Sequence, residues 1–198
     1  MDMPHRLVVD QVCTSPGSFE SLATLENAAL RVQQGDIQAF EDIVQTTSAS
    51  LVRLAARVIG DRAEAEDVVQ ESYIGAYHAL TQGLFDGRSR LTTWLRRIVV
   101  NRSIDALRSR RRRPRLDDSK LDPGWDGAVS TEASLALREM ADFMGGLATE
   151  QRAALILSVF EGLSNSEIAE VMSCSEGAVE QRLVRARVAL RQRSQKNG

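Results

Sequence analysis

The chain has 198 residues, of which 43% are hydrophobic, 26% charged and 5% aromatic, and its formal net charge is −2. No apolar run approaches the roughly 20 residues that a membrane span requires, and the N-terminus has too short an apolar stretch for a signal peptide. We therefore expect a cytoplasmic protein that does not insert into membranes. The abundance of Ala, Leu, Arg and Glu favours an all-α fold.

Apolar periodicity divides the first half of the chain into helices. Residues 1–21 lack periodicity and are predicted to be a flexible N-terminal extension. From residue 22 to Val58 apolar side chains recur at helical spacing, and Gly60 and Asp61 mark a stop. A second long helix is predicted over residues 63–80.

After a break that contains two glycines, a third helix is predicted to begin near Leu91. It ends before Pro114, because proline cannot donate a backbone hydrogen bond and disfavours helical geometry in the residue before it. Residues 114–130 combine prolines, glycines and aspartates, which is typical of a linker. We therefore predict two small helical domains, residues 22–113 and 131–195, joined by a flexible linker.

The cysteines and the remaining polar residues point to no catalytic or metal chemistry. Cys13 and Cys174 are far apart in sequence and have no neighbours at metal-ligand spacing, so neither a disulfide nor a zinc site is expected. A structural role is favoured for Cys174 over redox sensing. Without a phosphate-binding glycine loop or a nucleophile beside a base, we expect no cofactor and no enzyme.

Charge is strongly segregated along the chain. Residues 1–87 carry 13 acidic and 5 basic side chains, whereas residues 88–115 carry 11 arginines and the single acid Asp105. A basic block enclosed by acidic segments is typical of a protein that contacts a polyanion at one place. The alternative is a solvated, charged helix end.

The clearest local motif lies near the C-terminus. Ser164 and Glu167 are spaced as a capping box, which predicts the start of a helix, and Ser175 can cap a second helix after a short turn. The first helix is expected to bury Ile168, Ala169 and Met172, and the second Val179, Leu183 and Ala186. Two short helices with a tight turn and a polar outer face predict a helix-turn-helix, whose second helix fits the DNA major groove. An ordinary helical hairpin is the alternative.

Read together, three segments resemble the sigma-70 family of RNA polymerase sigma factors, and most closely its small extracytoplasmic-function (ECF) group. They are AEDVVQESYIGAYHAL, LTTWLRRIVVNRSIDALRSRRRR and the helix-turn-helix above. The resemblance covers about residues 27–113 and 132–194. It implies a promoter-specificity subunit that binds core RNA polymerase, recognises the −10 and −35 promoter elements and has no catalytic activity of its own.

The resemblance also implies where the polymerase binds. In the family, the helix that bears D-V-V-Q-E docks on the clamp helices of the polymerase β′ subunit, and the β subunit forms a further contact. In this chain those positions are Asp67, Val68, Gln70 and Glu71. The three polar residues are three to four positions apart and so share one helical face.

The segment LTTWLRRIVVNRSID resembles the part of the family that recognises and opens the −10 element, where one base is flipped into a pocket. Asn101 is the expected pocket amide, because an amide offers both donors and an acceptor to a base edge. The preceding loop, residues 84–90, would form a wall of that pocket. For Trp94 a core role is at least as plausible as base stacking. The other expected −10 contacts are Arg88, Arg90, Arg96, Arg97, Arg102, Arg108, Arg110, Arg111 and Arg112, which would hold backbone phosphates.

The helix-turn-helix resembles the part of the family that reads the −35 element as duplex. By position, Glu180, Gln181, Val184 and Arg185 should face the groove, with Arg182 and Arg187 nearer the phosphates. A carboxylate in the groove repels phosphate unless it accepts a hydrogen bond from cytosine N4. Glu180 therefore predicts an unusual −35 preference.

Two other functions compete with this one. A stand-alone helix-turn-helix regulator would leave the first two segments unexplained. A sigma mimic would titrate an anti-sigma factor without engaging promoters, but such mimics tend to carry a receiver domain, for which 198 residues leave no space. As with ECF factors in general, we expect an anti-sigma protein as an inhibitory partner.

Overall fold

A computed structural model describes residues 17–112 and 143–195, and within these ranges the ordered elements are all helices. The N-terminal unit contains α1 (Gly17–Gln33), α2 (Ile37–Ile59), α3 (Arg62–Thr81) and α4 (Leu91–Arg112). The C-terminal unit starts with helical residues 143–146 and continues through α5 (Thr149–Val159), α6 (Asn165–Met172) and α7 (Glu176–Ser194). The predicted all-α fold is confirmed, and the predicted linker lies outside the described residues.

Helix ends in the N-terminal unit follow from their capping residues. Gly60 ends α2 in the left-handed conformation, with φ at 81°, which costs glycine nothing because it has no Cβ. The Asp61 carboxylate then accepts a hydrogen bond of 3.0 Å from the backbone N–H of Glu64 and so caps α3. The predicted stop at these two residues is confirmed. At the other end, α1 begins at Gly17, within the segment that was predicted to be a flexible extension.

The core of the N-terminal unit forms around α2, which contacts α1, α3 and α4. The buried Tyr73 hydroxyl lies 2.7 Å from the Thr47 hydroxyl, so the polar end of an aromatic core residue is satisfied. Fully buried side chains of this core include Ala29, Val32, Ile43, Ala55, Ile59, Ala76, Leu80, Leu91 and Leu95.

The predicted helix-turn-helix is confirmed in detail. Ser164 accepts a hydrogen bond from the backbone N–H of Glu167, whose carboxylate in turn accepts one from the Ser164 N–H, so both halves of the capping box form. Ser175 accepts from the N–H of Ala178 at the start of α7. All six side chains predicted to be buried are buried, and Val171 of α6, which was not predicted, is buried as well. The six are Ile168, Ala169, Met172, Val179, Leu183 and Ala186.

The turn of the helix-turn-helix stores backbone strain. Ser173 ends α6 with φ 52° and ψ 48°, the left-handed conformation that L side chains rarely adopt. We expect Ser173→Gly to raise the free energy of unfolding by about 0.5–1 kcal/mol, as measured by urea denaturation of the full chain. Ser50→Gly, in the middle of α2, should have the opposite sign because glycine weakens a helix interior. A Ser173→Gly protein less stable than the wild type would contradict this expectation.

A second hydrophobic core joins the two units, which had been predicted only as two small domains connected by a linker. Val58 of α2 and Ile104 of α4 belong to the same buried cluster as Phe143, Leu157 and Ile168 of the C-terminal unit. Both α5 and α6 contact α4, and α5 also contacts α2. The C-terminal unit is small for a domain that folds alone, so the surface of the N-terminal unit completes its core.

Candidate nucleic-acid interface

Helix α4 presents three different sides, and the predicted −10 residues are distributed among them. Leu91, Leu95 and Val99 face the first core, whereas Val100 and Ile104 face the second. The remaining free face carries Trp94, Arg97, Asn101, Asp105 and Arg108, which follow one another at steps of three or four residues.

Asn101 and Arg97 lie one turn apart on this free face. Arg97 is exposed, and it has no ion pair within the described residues. Asn101 is half-buried. An exposed guanidinium and a partly exposed amide on one helical face can hold a phosphate and read a base edge at the same time.

Trp94 is anchored rather than free. Its ring lies 5.1 Å from that of Phe85 in a tilted arrangement, and it packs on the core of the N-terminal unit while remaining half-buried. This environment favours the core role, and the half-buried indole remains partly accessible.

Four arginines of α4 that were expected to hold phosphates are ion-paired within the described part of the chain. Arg102 lies 3.2 Å from the Glu71 carboxylate, and Arg110 lies 3.1 Å from Glu64 and also donates to the Ile59 carbonyl. The other two, Arg96 and Arg108, pair with acids of the C-terminal unit. Arg88 pairs locally with Asp86, Arg90 and Arg112 are exposed, and the Arg111 side chain is outside the described set.

The contacts of Glu161 form the main polar link between the two units. Its carboxylate, with only 13% of the side chain exposed, lies 3.1 Å from the Arg57 guanidinium of α2 and 3.4 Å from that of Arg96 in α4. The Arg57 guanidinium also sits 5.1 Å above the centre of the Phe160 ring. One acid thus neutralises two cations that would otherwise repel each other.

A second polar link joins Glu150 at the start of α5 to Arg108 of α4, with 3.2 Å between Nε and the carboxylate. Burial by itself raises the pKa of the Glu150 carboxyl, but the hydrogen bonds and charge of Arg108 outweigh it. The pKa therefore lies below its ordinary value of 4.5. We call this packing of the two units against each other the closed arrangement. In it, the Arg108 guanidinium is already paired with a carboxylate.

This pKa makes the contact between the units sensitive to acid. A carboxyl whose pKa is depressed in the folded state contributes stability above its ordinary pKa and loses it as the pH falls through the lowered value. We expect Glu150→Gln to be less stable than the wild type near neutral pH and the difference to vanish in acid. Urea denaturation across that range tests this. A difference that stays constant below about pH 4.5 would contradict the assignment.

On the recognition helix α7, the predicted groove residues Glu180, Gln181, Val184 and Arg185 are all exposed. Val184 is 50% exposed, and Val188, one turn further, was missed although its spacing of four residues places it on the same face. The centre of the free face is therefore apolar, which suits contact with a thymine methyl group.

Two charged positions of α7 differ in what they contact. Arg187 is exposed, as expected of a phosphate contact. Arg182 is half-buried and donates a 2.8 Å hydrogen bond to the Cys174 sulfur. Arg182 thus holds the turn of the helix-turn-helix, and Cys174 has the structural environment that the sequence favoured.

The predicted polymerase-docking residues Asp67, Gln70 and Glu71 are exposed on one face of α3. Val68 is only 8% exposed and belongs to the core, so it cannot be the apolar part of that face. Ile74 takes that place: it is 60% exposed and lies three positions after Glu71. A helical projection of the sequence would have found it, because an isoleucine three and four positions after two polar residues shares their face.

A groove of about 450 Å³ runs between α2 and α3 and reaches Gln70. Its floor is apolar and its rim carries charged side chains of both signs. The lining includes Val44, Val52, Val69 and Tyr73 on the floor, with Arg53, Arg62 and Glu66 on the rim. The groove adjoins the predicted docking face of α3 and includes residues of α2.

Two kinds of site are absent from the described part of the chain. No helix there is long and apolar enough to cross a membrane. Residues 17–112 and 143–195 also contain no group of three His, Cys, Asp or Glu side chains placed to hold a metal ion.

Comparison with known proteins agrees with this geometry. The family model for sigma-70 region 2 matches residues 48–113, and that for sigma-70 region 4 matches residues 137–190. The RNA polymerase sigma-H factor of Pseudomonas aeruginosa is 38% identical in an alignment of 173 positions that covers 81% of this chain and 88% of that protein. The chain belongs to the sigma-70 family.

Within that family it is an ECF sigma factor. The ECF RNA polymerase sigma-E factor of Haemophilus influenzae is 35% identical over 79% of this chain and 88% of its own length. Among solved structures, the sigma factor RpoE in complex with the anti-sigma factor NepR from Bartonella quintana has a TM-score of 0.58 and 27% identity. It covers 79% of this chain and 96% of that one. Sigma factors are initiation factors rather than enzymes. In this ECF sigma factor, α1 precedes the part that either family model matches.

Proposed function

We propose that this ECF sigma factor binds core RNA polymerase through α3, reads the −35 element with α7 and opens the −10 element on the free face of α4. The observation that carries the proposal is that two polar surfaces, on α3 and α4, lie on the N-terminal unit, whereas the helix proposed to read the −35 element lies on the C-terminal unit. Because initiation takes place where the polymerase is, the protein works in the cytoplasm.

Polymerase docking is assigned to Asp67, Gln70 and Glu71 together with Ile74, with the α2–α3 groove beside them. Carboxylates and an amide on one exposed face can pair with basic side chains of a partner helix, which in the family is a clamp helix of the β′ subunit. The exposed isoleucine adds apolar contact at the centre, where interfaces gain most of their affinity.

For the −10 element, the proposal relies on Asn101 and Arg97. Unstacking a base costs a few kcal/mol, and a pocket that hydrogen-bonds the base edge offsets that cost while selecting the base. Asn101 supplies the amide, Arg97 an uncompensated charge for the neighbouring phosphate, and Trp94 a fixed wall.

Promoter binding requires the two units to separate. The −10 and −35 elements are about 25 base pairs apart, or roughly 80 Å at about 3.4 Å per pair. Packed helices lie only about 8–10 Å apart, and α6 packs directly on α4, so both elements cannot be reached in the closed arrangement. A stretch as long as residues 113–142 can span at most roughly 100 Å, which is enough.

Separation of the two units also makes two arginine side chains available to DNA. In the closed arrangement Glu161 and Glu150 occupy Arg96 and Arg108, and phosphates can replace these carboxylates once the C-terminal unit moves away. The same carboxylates act as stand-ins for phosphate while no DNA is bound.

An anti-sigma factor is the proposed inhibitor, supported by the solved relative that was captured with one. Such a partner would favour the closed arrangement or cover the α3 face, and either action prevents promoter binding.

Run-off transcription tests the proposed function. Core RNA polymerase would be supplied with genomic fragments from the source bacterium, with and without this protein. We expect a small set of transcripts that appear only when the protein is present and that start downstream of shared −10 and −35 sequences. The absence of both core binding and protein-dependent transcripts would overturn the proposal. That result would favour a stand-alone regulator or a sigma mimic.

A further inference from the structure

The loop between α3 and α4, residues 82–90, is hydrogen-bonded to α1. Gly83 and Gly87 both adopt φ of 70°, so the loop has two sharp, left-handed turns. The Gln33 side chain donates a 2.9 Å hydrogen bond to the Phe85 carbonyl, in a partly buried position. This single bond reaches across from the last turn of α1 to the middle of the loop.

The end of the loop is tied to the same helix. The backbone N–H of Leu91, the first residue of α4, donates to both carboxylate oxygens of Glu26, at 3.0 and 3.3 Å. A carboxylate at a helix N-terminus satisfies an otherwise unpaired donor and interacts favourably with the helix dipole. Glu26 thus caps α4 from another helix.

These two hydrogen-bonded contacts fix the position of the loop next to the free face of α4. The Phe85 carbonyl that Gln33 binds belongs to the residue whose ring packs on Trp94. Leu91 begins the helix that carries Asn101 ten residues later. Loss of either hydrogen-bonded contact would therefore move the loop relative to the free face of α4.

We propose that Glu26 and Gln33 are positioning residues for −10 base selection: α1 sets the shape of the loop that walls the base-binding side of α4. The proposal rests on the proposed function, since it assumes that the free face of α4 reads the −10 element. Neither residue touches the DNA in this scheme. Each acts through the loop backbone, and both lie before the segment that matches sigma-70 region 2.

A role in folding alone would predict a different pattern. Loss of stability would weaken core binding, −35 binding and −10 recognition together. Loss of positioning would instead reduce the preference for the correct −10 base and leave the affinity for core polymerase and for −35 duplex unchanged. Base preference is therefore the readout that separates the two roles.

The experiment uses the full chain with core RNA polymerase and promoter DNA that carries each of the four bases at every −10 position. For Gln33→Ala we expect discrimination between the preferred and the other bases to fall by about three- to tenfold at one or two positions, the range expected for one hydrogen bond. Gln34→Ala is the matched control, because that neighbouring glutamine is exposed. It should retain the wild-type preference.

Glu26 offers a conservative rescue. The amide oxygen of Glu26→Gln can still accept from the Leu91 N–H, so this variant should keep base discrimination, whereas Glu26→Ala should lose it. Unchanged base preference in both Gln33→Ala and Glu26→Ala would overturn the inference alone. A wild-type protein without any −10 base preference would overturn the proposed function and this inference with it.

Discussion

Replacing Asp67, Gln70 and Glu71 together by alanine is expected to weaken binding to core RNA polymerase by at least about 100-fold. Hydrogen bonds that involve charged groups contribute about 1.5–3 kcal/mol each, and every 1.4 kcal/mol changes affinity about tenfold. The three side chains are exposed, and the surface pair of Glu71 with Arg102 adds little to folding. A fluorescence titration of labelled protein with core enzyme measures the loss.

A matched control comes from the first two turns of α2. Gln38, Glu41 and Asp42 are the same three residue types, all exposed, and their triple alanine variant should bind core polymerase like the wild type. An equal loss in both triple variants would contradict the assignment of the docking face to α3. Ile74→Ala alone should reduce affinity as well, through the lost apolar contact.

The second large effect is expected from Glu161→Arg. This change places a third cation between Arg57 and Arg96 and removes the acid that neutralises both. Breaking a buried ion pair costs about 3–5 kcal/mol, and because the two arginines are partly exposed we expect about 2–3 kcal/mol, or roughly 30- to 150-fold in the ratio of closed to open protein. Small-angle scattering should show a larger radius of gyration, and promoter DNA should bind the free protein more tightly.

Glu170→Arg provides the control for this prediction, since it introduces the same charge at an exposed position of α6 in the C-terminal unit. Arg57→Glu combined with Glu161→Arg should restore part of the closed arrangement, because it re-creates an opposite-charge pair. If the scattering profile and DNA affinity of Glu161→Arg matched those of Glu170→Arg, these contacts would not hold the units together.

Much of the local structure could be predicted because it depends on residues that are close in sequence. Gly60 and Asp61 separate α2 from α3, and Ser164 with Glu167 starts α6, since caps act within one helical turn. The buried positions of the helix-turn-helix follow from the helical period. Asn101 was assigned instead from the family resemblance; the structure places it half-buried on the face of α4 that carries Arg97, and its contact with DNA stays a prediction.

The contacts between the units could not be predicted, because helical periodicity shows which side chains are apolar but not what covers them. Glu161 and Arg57 are separated by 104 residues, and Glu150 and Arg108 by 42. The block of arginines therefore looked wholly available to DNA, although five of its members pair with carboxylates within the described residues. The sequence did contain one indication of these contacts. Helix α4 carries a second apolar stripe formed by Val100, Ile104 and Leu107, and a helix that is buried on one side only would not need it.

Permanganate footprinting of promoter DNA in the complex with core polymerase tests most directly whether one chain opens to span both elements. Permanganate oxidises unpaired thymines, and nuclease protection on the same fragment reports the −35 duplex. We expect reactive thymines at the −10 element and protection at the −35 element in the same complex, both lost with the docking-face triple variant. Protection at −35 without any reactive thymine at −10 would contradict a promoter-opening function.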